Sequence, residues 1–135
     1  MNLTSMKTSL PSLLVCLMCL VCFSGCGPRL SVDNVMELAS GEVRSIIIDS
    51  IANEQTVSVA ANSSVPFSLH VHLAGDEADV DAAVLAGQPS PKILAESINR
   101  DAVKLQFTVP AAKEAVVRFS TQNGDAASIS YRIIN

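Results

Sequence analysis

Two histidines lie two positions apart in a segment that alternates apolar and polar residues. The segment 65–73 has apolar side chains at every odd position, so it predicts a β-strand with His70 and His72 on its polar face. Two imidazoles on one face could bind zinc or copper if a third ligand joined them. The alternative interpretation is that both histidines are half-exposed polar positions on the outer face of an amphipathic strand.

Four carboxylates follow closely, in the segment 74–81. They could supply the third ligand to a transition metal, or together hold calcium, which takes six to eight oxygen ligands. The segment lacks the glycine at the sixth place and the closing glutamate of the twelve-residue calcium loop, and solvated acids in a turn are the alternative. We therefore predict no metal site and no cofactor. If a metal did bind here, the candidate ligands would be His70, His72, Asp76, Asp79 and Asp81.

The rest of the chain offers no constellation of catalytic residue types. Serine is plentiful, but no nucleophile elbow and no glycine-rich phosphate loop occur in the sequence, and no serine or acid stands in a pattern with either histidine. Sugar-cleaving clefts usually carry aromatic platforms, whereas this chain has no tryptophan and one tyrosine, Tyr131. We expect a protein that is not an enzyme.

The first 26 residues determine where the protein is expected to reside. Lys7 precedes an uninterrupted apolar run over residues 13–23. As a helix, this run would rise roughly 16 Å against a hydrocarbon core of about 30 Å. A basic start, a short apolar run and small residues after it are typical of a cleaved secretory signal, expected to be helical, rather than of a membrane span.

The end of this segment, Phe23-Ser24-Gly25-Cys26, resembles the lipobox of bacterial lipoproteins. The resemblance implies that Cys26 becomes the first residue of the mature chain and carries a thioether-linked diacylglycerol. Gly27 follows it in place of aspartate, which in the best-known sorting rule favours the outer membrane over the cell membrane. The alternative is ordinary signal cleavage after Ser24, which would leave a free thiol at Cys26.

Cysteine and charge counts agree with export and argue against nucleic acid as a partner. The other three cysteines precede Cys26, so the mature chain can form no internal disulfide. Removal of the signal leaves eight basic against thirteen acidic residues, a net charge of −5. The basic residues are scattered singly, whereas phosphate binding requires a clustered basic field.

The remaining chain predicts one all-β domain. Residues 31–41 have helical spacing of apolar residues and could form a short helix or a disordered tether. From residue 42 onward the period is two, and turn residues recur at intervals of about ten, which is typical of an antiparallel β-sandwich of seven to eight strands. Asn123-Gly124, between two alternating runs, predicts a closing hairpin. We expect a signal peptide over 1–25, a lipidated tether over 26–41 and a β-sandwich domain over 42–135.

The stretch 57–133 weakly resembles bacterial β-sandwiches of the pre-peptidase C-terminal type. The resemblance depends on residues 75–85, Gly-Asp-Glu-Ala-Asp-Val-Asp-Ala-Ala-Val-Leu, which look like that family's acidic turn leading into a strand. It implies a noncatalytic secreted domain that binds a substrate or partner. We therefore expect a membrane-anchored lipoprotein of the cell envelope with a noncatalytic binding or structural module. Its expected partner is an envelope protein or a surface polymer. The alternative is an envelope metal-binding protein that uses His70, His72 and the acidic turn.

Overall fold

A computed structural model describes residues 29–121 and 124–135. It contains six β-strands and one α-helix, and the strands form a single antiparallel sheet that curls into a half-barrel. A single 3₁₀ turn, Ala74–Asp76, leads into the helix. The elements in chain order are β1 (Ser31–Leu38), β2 (Val43–Ile48), β3 (Gln55–Leu73), α1 (Glu77–Ala86), β4 (Ile93–Val109), β5 (Ala115–Ser120) and β6 (Ala127–Ile134).

The six strands form four long antiparallel rows, each bent near its middle. The rows are β3, β4, the pair β5 and β6 end to end, and the pair β1 and β2 end to end. β3 pairs along one edge with β4, and along its other edge first with β6, over residues 58–63, and then with β5, over residues 68–73. β1 pairs with β6 and β2 pairs with β5. Consecutive strands β5 and β6 therefore run in the same direction along β3, and β1 and β2 continue one another in the same way.

Residues with unusual backbone requirements lie at the bends. Gly41 (φ 74°) follows β1, Gly124 (φ 71°) precedes β6, and Asn99 (φ 54°) interrupts β4. A positive φ favours glycine, and asparagine tolerates it better than most residues. In β3 the register with β4 shifts between Asn62 and Phe67, where Pro66 has no N–H to donate to the ladder. The sheet curls at these bends around one core.

The bends divide the sheet into two halves that share this core. We call β1, β6, residues 55–63 of β3 and residues 102–109 of β4 the open half. We call β2, β5, residues 67–73 of β3 and residues 93–100 of β4 the covered half. Phe119 packs between Phe67, which also belongs to the covered half, and Tyr131 of the open half, with ring centroids 6.2 Å and 5.7 Å apart. The sheet therefore closes on a continuous cluster of buried apolar side chains.

The outer faces of the two halves differ. On the open half the outward side chains of β3, such as Thr56 and Asn62, are exposed. On the covered half, α1 lies against the outer face through Val80, which is fully buried. Residues 67–72 of β3 are buried on both faces of the sheet, and α1 forms a further layer outside them.

The all-β antiparallel fold class is confirmed, and several of its expected elements are arranged differently. The turn residues at 62–64 and 99–101 bend continuous strands instead of separating two, so the described residues contain six strands and not seven or eight. Residues 31–38, expected to be a short helix or a tether, form β1, because Met36 and Leu38 are buried at a spacing of two. Residues 80–85, expected to form a strand, belong to α1.

The closing hairpin is also a wrong expectation. β5 and β6 form as the alternation predicts, but they pair with β3 and not with one another. The Ser40 hydroxyl donates a hydrogen bond to the carbonyl oxygen of Gly124, which joins this connection to the turn between β1 and β2. Gly124, with its positive φ, therefore lies in the bend between β5 and β6 and not in a hairpin turn. Within the described residues, no helix has the length and apolar character needed to cross a bilayer.

Candidate functional site

The two histidines lie on the face of β3 that α1 packs against. His70 is 7% exposed and His72 is fully buried, although both belong to the outward face of the covered half. The interpretation of half-exposed positions on an open strand face is therefore wrong, because the helix that follows β3 folds back over that face. The structure brings the two imidazoles into one protected layer between helix and sheet.

An ion pair ties α1 to the strand next to the histidines. Arg118 of β5 is the cross-strand neighbour of His70, and its guanidinium donates to the carboxylate of Asp81 on the helix. Both side chains are only partly exposed, Arg118 at 24% and Asp81 at 39%. This carboxylate neutralises a cation that would otherwise face the helix unpaired, so its role in the structure is to dock α1.

The other two candidate carboxylates pair with a lysine. Lys92 Nζ lies 2.7 Å from Asp76 Oδ1 and 3.1 Å from Asp79 Oδ2. The hydrogen bond to Asp76, followed by that to Asp79, raises the pKa of Lys92. These acids were expected in a turn, but they begin the helix, where negative charge is stabilised by the helix dipole. Among residues 29–121 and 124–135, no three His, Cys, Asp or Glu side chains lie close enough to share a metal ion.

The ring of His72 has a defined orientation. Its Nδ1 lies 2.8 Å from the carbonyl oxygen of Leu73, and since a carbonyl can only accept, Nδ1 carries the proton and donates. Nε2 is then an acceptor, and it is the buried side-chain atom in the described chain for which no hydrogen-bond partner exists. A buried polar atom without a partner costs free energy, which makes His72 the least satisfied group of the covered half.

His70 lies beside a carboxylate on its other flank. Its Nε2 is 3.8 Å from Glu96 Oε2, which is too long for a hydrogen bond. Burial lowers the pKa of His70 most strongly, Glu96 raises it, and Arg118 and His72 lower it further. The net direction is downward, so the ring is neutral near pH 7.

A groove runs between α1 and the outer face of the covered half, and His70 lies at its floor. It consists of two cavities that share Val84 of the helix. One, of about 220 Å³, lies toward β2 and is lined by Val43 and Leu85, and the other, of about 540 Å³, lies toward β4 and is lined by Ser68 and Ile98. We call these two cavities together the helix groove.

The rim of the helix groove is apolar and exposed to solvent. Leu85 is 89% exposed, and its neighbours on the rim are Val43 at 47%, Ile98 at 44% and Val84 at 43%. Contiguous exposed apolar side chains around a concave surface mark binding sites more often than isolated ones do. The floor adds a few polar groups, including the hydroxyl of Ser68, which accepts a hydrogen bond from the Asn99 N–H.

A larger depression on the open half has a different character. It encloses about 620 Å³ around Ala60, Ala61 and Lys104. Its floor is the exposed face of the sheet, and its one arginine, Arg132, is paired with Asp33 at 2.9 Å. The helix groove is the better candidate despite its smaller cavities, because a ligand there would contact both an apolar rim and a buried polar floor.

The geometry contains no nucleophile paired with a base. In the part of the chain that the structure describes, no hydrogen bond joins His70 or His72 to a serine hydroxyl. Ser68 and Ser120 are cross-strand neighbours near His70, but neither hydroxyl is held by an imidazole. The expectation that the chain is not an enzyme stays a prediction.

The sequence indicated the histidines and acids of this region but not the groove. The residues of its rim show no distinctive sequence pattern. The sequence does contain one signal for the helix, which is a glycine at its end. Gly87, at φ 64°, ends α1 with its N–H hydrogen-bonded to the carbonyl oxygens of Ala83 and Val84, as a left-handed glycine does after a helix. Cys26 and the signal segment 1–25 lie outside the described residues.

Comparisons with known proteins add no assignment. No family model matches the chain, and no curated protein matches it.

Proposed function

We propose that this chain is a membrane-tethered, noncatalytic binding module of the bacterial cell envelope. The anchor is the lipid on Cys26, held in the outer membrane by preference over the cell membrane. The binding surface is the helix groove, and the partner is an envelope protein or a surface polymer.

The observation that carries this proposal is the exposed apolar rim of the groove. Leu85 and Val84 belong to the one α-helix of the described residues, and they are 89% and 43% exposed, whereas Val80 is the buried residue of that helix. Leaving these side chains in water forgoes roughly 25 cal/mol for every Å² of apolar surface that a partner could cover. A neutral imidazole and two serine hydroxyls below the rim supply polar contacts that would orient such a partner.

The tether supports a role close to the membrane. Four residues lie between Cys26 and Ser31, the first residue of β1. The five steps from one Cα atom to the next span at most about 17 Å. A lipid on Cys26 would therefore keep the domain, and with it the groove, within a short distance of the bilayer surface.

The groove is tested with a photoreactive side chain placed at its rim. Introduced at Leu85 in the full-length chain in intact cells, it should give a discrete adduct with one envelope component. The matched control is the same group at Val35, which is 55% exposed on β1 of the open half and is not among the residues that line the groove. Absence of any adduct from Leu85, or the same adduct from both positions, would contradict the assignment of the groove.

The anchor is tested by cell fractionation. Cys26→Ala should move the protein from the membrane fraction to the soluble fraction or leave it unprocessed, because a multi-chain lipid contributes about 0.8 kcal/mol per buried methylene. Cys22→Ala, within the apolar run, is the matched control and should leave the protein in the membrane fraction. Identical partitioning of the Cys26 variant and the unaltered chain would remove the anchor from the proposal.

A metal-binding envelope protein is the second candidate, and one observation favours it. Histidines that ligate metals commonly donate one ring N–H to a backbone carbonyl and bind through the other nitrogen, which is the orientation of His72. Against it, Asp76, Asp79 and Asp81 are engaged by Lys92 and Arg118. Calorimetry with zinc decides between them: this alternative requires tight binding that His72→Ala abolishes, and equal weak heats for both proteins would eliminate it.

A further inference from the structure

The sheet has three exposed edges, and they are protected to different degrees. β1, β2 and β4 each pair with a single neighbour among the described residues. An edge strand presents unpaired N–H and C=O groups to solvent, and proteins usually blunt it with charges, proline or bends. The charges, prolines and bends of each edge strand therefore indicate how well it is protected against pairing with another strand.

Charges and a bend protect β4 and β1. β4 bends at Asn99, where φ is 54°, and has Glu96, Arg100, Asp101 and Lys104 along its length. β1 carries Asp33 and Glu37, which pair with Arg132 and Ser128 of β6. Antiparallel pairing of β1 with a second β1 centred on Val35 would place Asp33 opposite Glu37, and like charges in that position are destabilising.

β2 lacks such protection. Its sequence Val43-Arg44-Ser45-Ile46-Ile47-Ile48 holds one charge, no proline and no bend. That charge is already engaged, since Arg44 Nε donates to Glu42 Oε1 at 2.7 Å. Val43 and Ile47, on the outward face, are 47% and 61% exposed. A short β-branched segment with little charge is the type of edge that pairs with another strand.

We propose that β2 pairs antiparallel with β2 of a second copy of this chain, so that the two sheets join across a twofold axis at Ser45. In this register Val43 of each copy lies opposite Ile47 of the other, and Ser45 lies opposite its own symmetry mate. Arg44 lies opposite Ile46, so no like charges meet. The contact is isologous and closes at two copies.

The edge of β2 adjoins the rim of the helix groove. Val43 lines the cavity in which Leu85 and Val84 also lie, so the apolar strip is continuous from the edge of β2 to the helix. Each apolar cross-strand pair stabilises the contact only weakly. Six-residue edges thus give weak dimers in dilute solution, and confinement on a membrane would raise the effective concentration.

The twofold geometry is compatible with the proposed anchor. Two copies tethered to one leaflet are related by an axis along the membrane normal, and antiparallel pairing across an edge requires an axis perpendicular to the sheet. Both requirements are met when the covered half lies parallel to the bilayer. The pairing itself depends only on β2, so it can be tested separately from the anchor.

The test is disulfide trapping in the full-length chain in intact cells. Opposed residues of antiparallel strands have Cα atoms about 4.5–5.5 Å apart, which is within the range that a disulfide bridges. Ser45→Cys should yield a reducible dimer at least tenfold above the background of the unaltered chain, and Val35→Cys on β1 should not. Ile47→Lys added to Ser45→Cys should reduce the dimer at least tenfold, whereas Val35→Lys added to it should leave the dimer unchanged.

Four results would overturn the proposal. They are no dimer from Ser45→Cys, equal dimer from Val35→Cys, a dimer that persists with Ile47→Lys, and a Ser45→Cys adduct with a different protein. Retention of each variant in the membrane fraction is measured in the same samples. Loss of the dimer with normal retention then counts against the pairing alone, and loss of retention counts against the anchor alone. Because the comparison of Ser45→Cys with Val35→Cys does not involve Ile47, it stands even if Ile47→Lys impairs folding.

Discussion

The open and covered halves share one core, and each consists of two complete strands and parts of β3 and β4. They differ in what lies on their outer faces. On the open half, polar residues of β3 such as Thr56 and Asn62 face water. On the covered half, Ser68, His70 and His72 occupy the same alternating positions and are buried. Strand alternation therefore determines which side chains face the core, and the connection after the strand determines whether the other side chains face water.

The difference comes from the connection between β3 and β4, which contains a helix. That helix is α1, in which Val80 is buried and Asp81 pairs with Arg118 of the sheet, while Leu85 is 89% exposed. This one helix gives the molecule its buried histidines, its least satisfied polar atom and its exposed apolar rim. The binding features that we propose all lie in the covered half, and the predictions that follow probe that asymmetry.

Phe119→Ala should have the largest effect and should destabilise both halves. The ring is fully buried and contacts Phe67 and Tyr131, and truncation of a buried phenylalanine costs about 3–5 kcal/mol. Urea unfolding followed by far-ultraviolet circular dichroism and by the fluorescence of Tyr131, the one tyrosine of the chain, should give a single coincident transition. Two separated transitions would mean that the halves are independent.

Val80→Ala should loosen only the covered half. The lost methyl groups correspond to about 1.5–2.5 kcal/mol, from the transfer term of 0.8 kcal/mol each and the cavity left behind. Hydrogen exchange should accelerate in α1 while the amides of β1 and β6 stay protected. Val35→Ala, exposed on the open half, is the control and should change the free energy of unfolding by less than about 0.5 kcal/mol. Equal acceleration in both halves would contradict a separately docked helix.

Removal of one carboxylate from each half should have unequal effects. Asp81→Ala leaves Arg118 beneath the helix without its partner, and a hydrogen bond between charged groups with this degree of burial is worth about 1–2 kcal/mol. Asp33→Ala breaks a pair in which both side chains are about two-thirds exposed, and such pairs contribute about 0–1 kcal/mol. Urea midpoints of the two variants measure the difference, and equal losses would show that α1 does not shield its ion pair.

Acid should weaken the protein through His70, and this effect is the smallest. The pKa of His70 is lowered by burial beneath α1, with Glu96 opposing the shift and Arg118 and His72 adding to it. Below pH 6.5 the unfolded chain therefore binds more protons than the folded one, so stability falls as the pH falls toward the folded pKa. His70→Gln should remove this slope between pH 7.5 and 5.5 in urea titrations. An unchanged slope in that variant would assign the effect to other groups.

Except for β1, which was expected to be a helix or a tether, the sequence predicted the core faces of the strands better than the connections between them. The alternation around Val57, Leu69 and Ile129 identified buried positions, because one face of a sheet must be apolar. Turn residues at 62–64 and at Asn99 are typical of chain reversals. A bend within a continuous strand uses the same residue types, so the sequence alone does not distinguish the two. Local chemistry specifies the change in backbone direction, and only pairing with a neighbouring strand determines whether the strand resumes.

The candidate site was less accessible from sequence for a related reason. The ligand-like residues His70, His72 and Asp81 were identified, but their partners Arg118 and Glu96 come from strands whose order in the sheet no local pattern specifies. The start of α1 was read as an acidic turn because its apolar residues form no helical stripe. Its acids in the first turn and Gly87 after the last are the signals that indicate the helix.

The claim on which the proposed function most depends is the lipid on Cys26, and the intact mass of the purified mature chain tests it most directly. We predict a chain that begins at Cys26 and is heavier than its polypeptide by a diacylglycerol on sulfur, usually with a further acyl group on the amino terminus. A mature chain that begins at another residue, or one in which Cys26 is an unmodified thiol, would contradict the account.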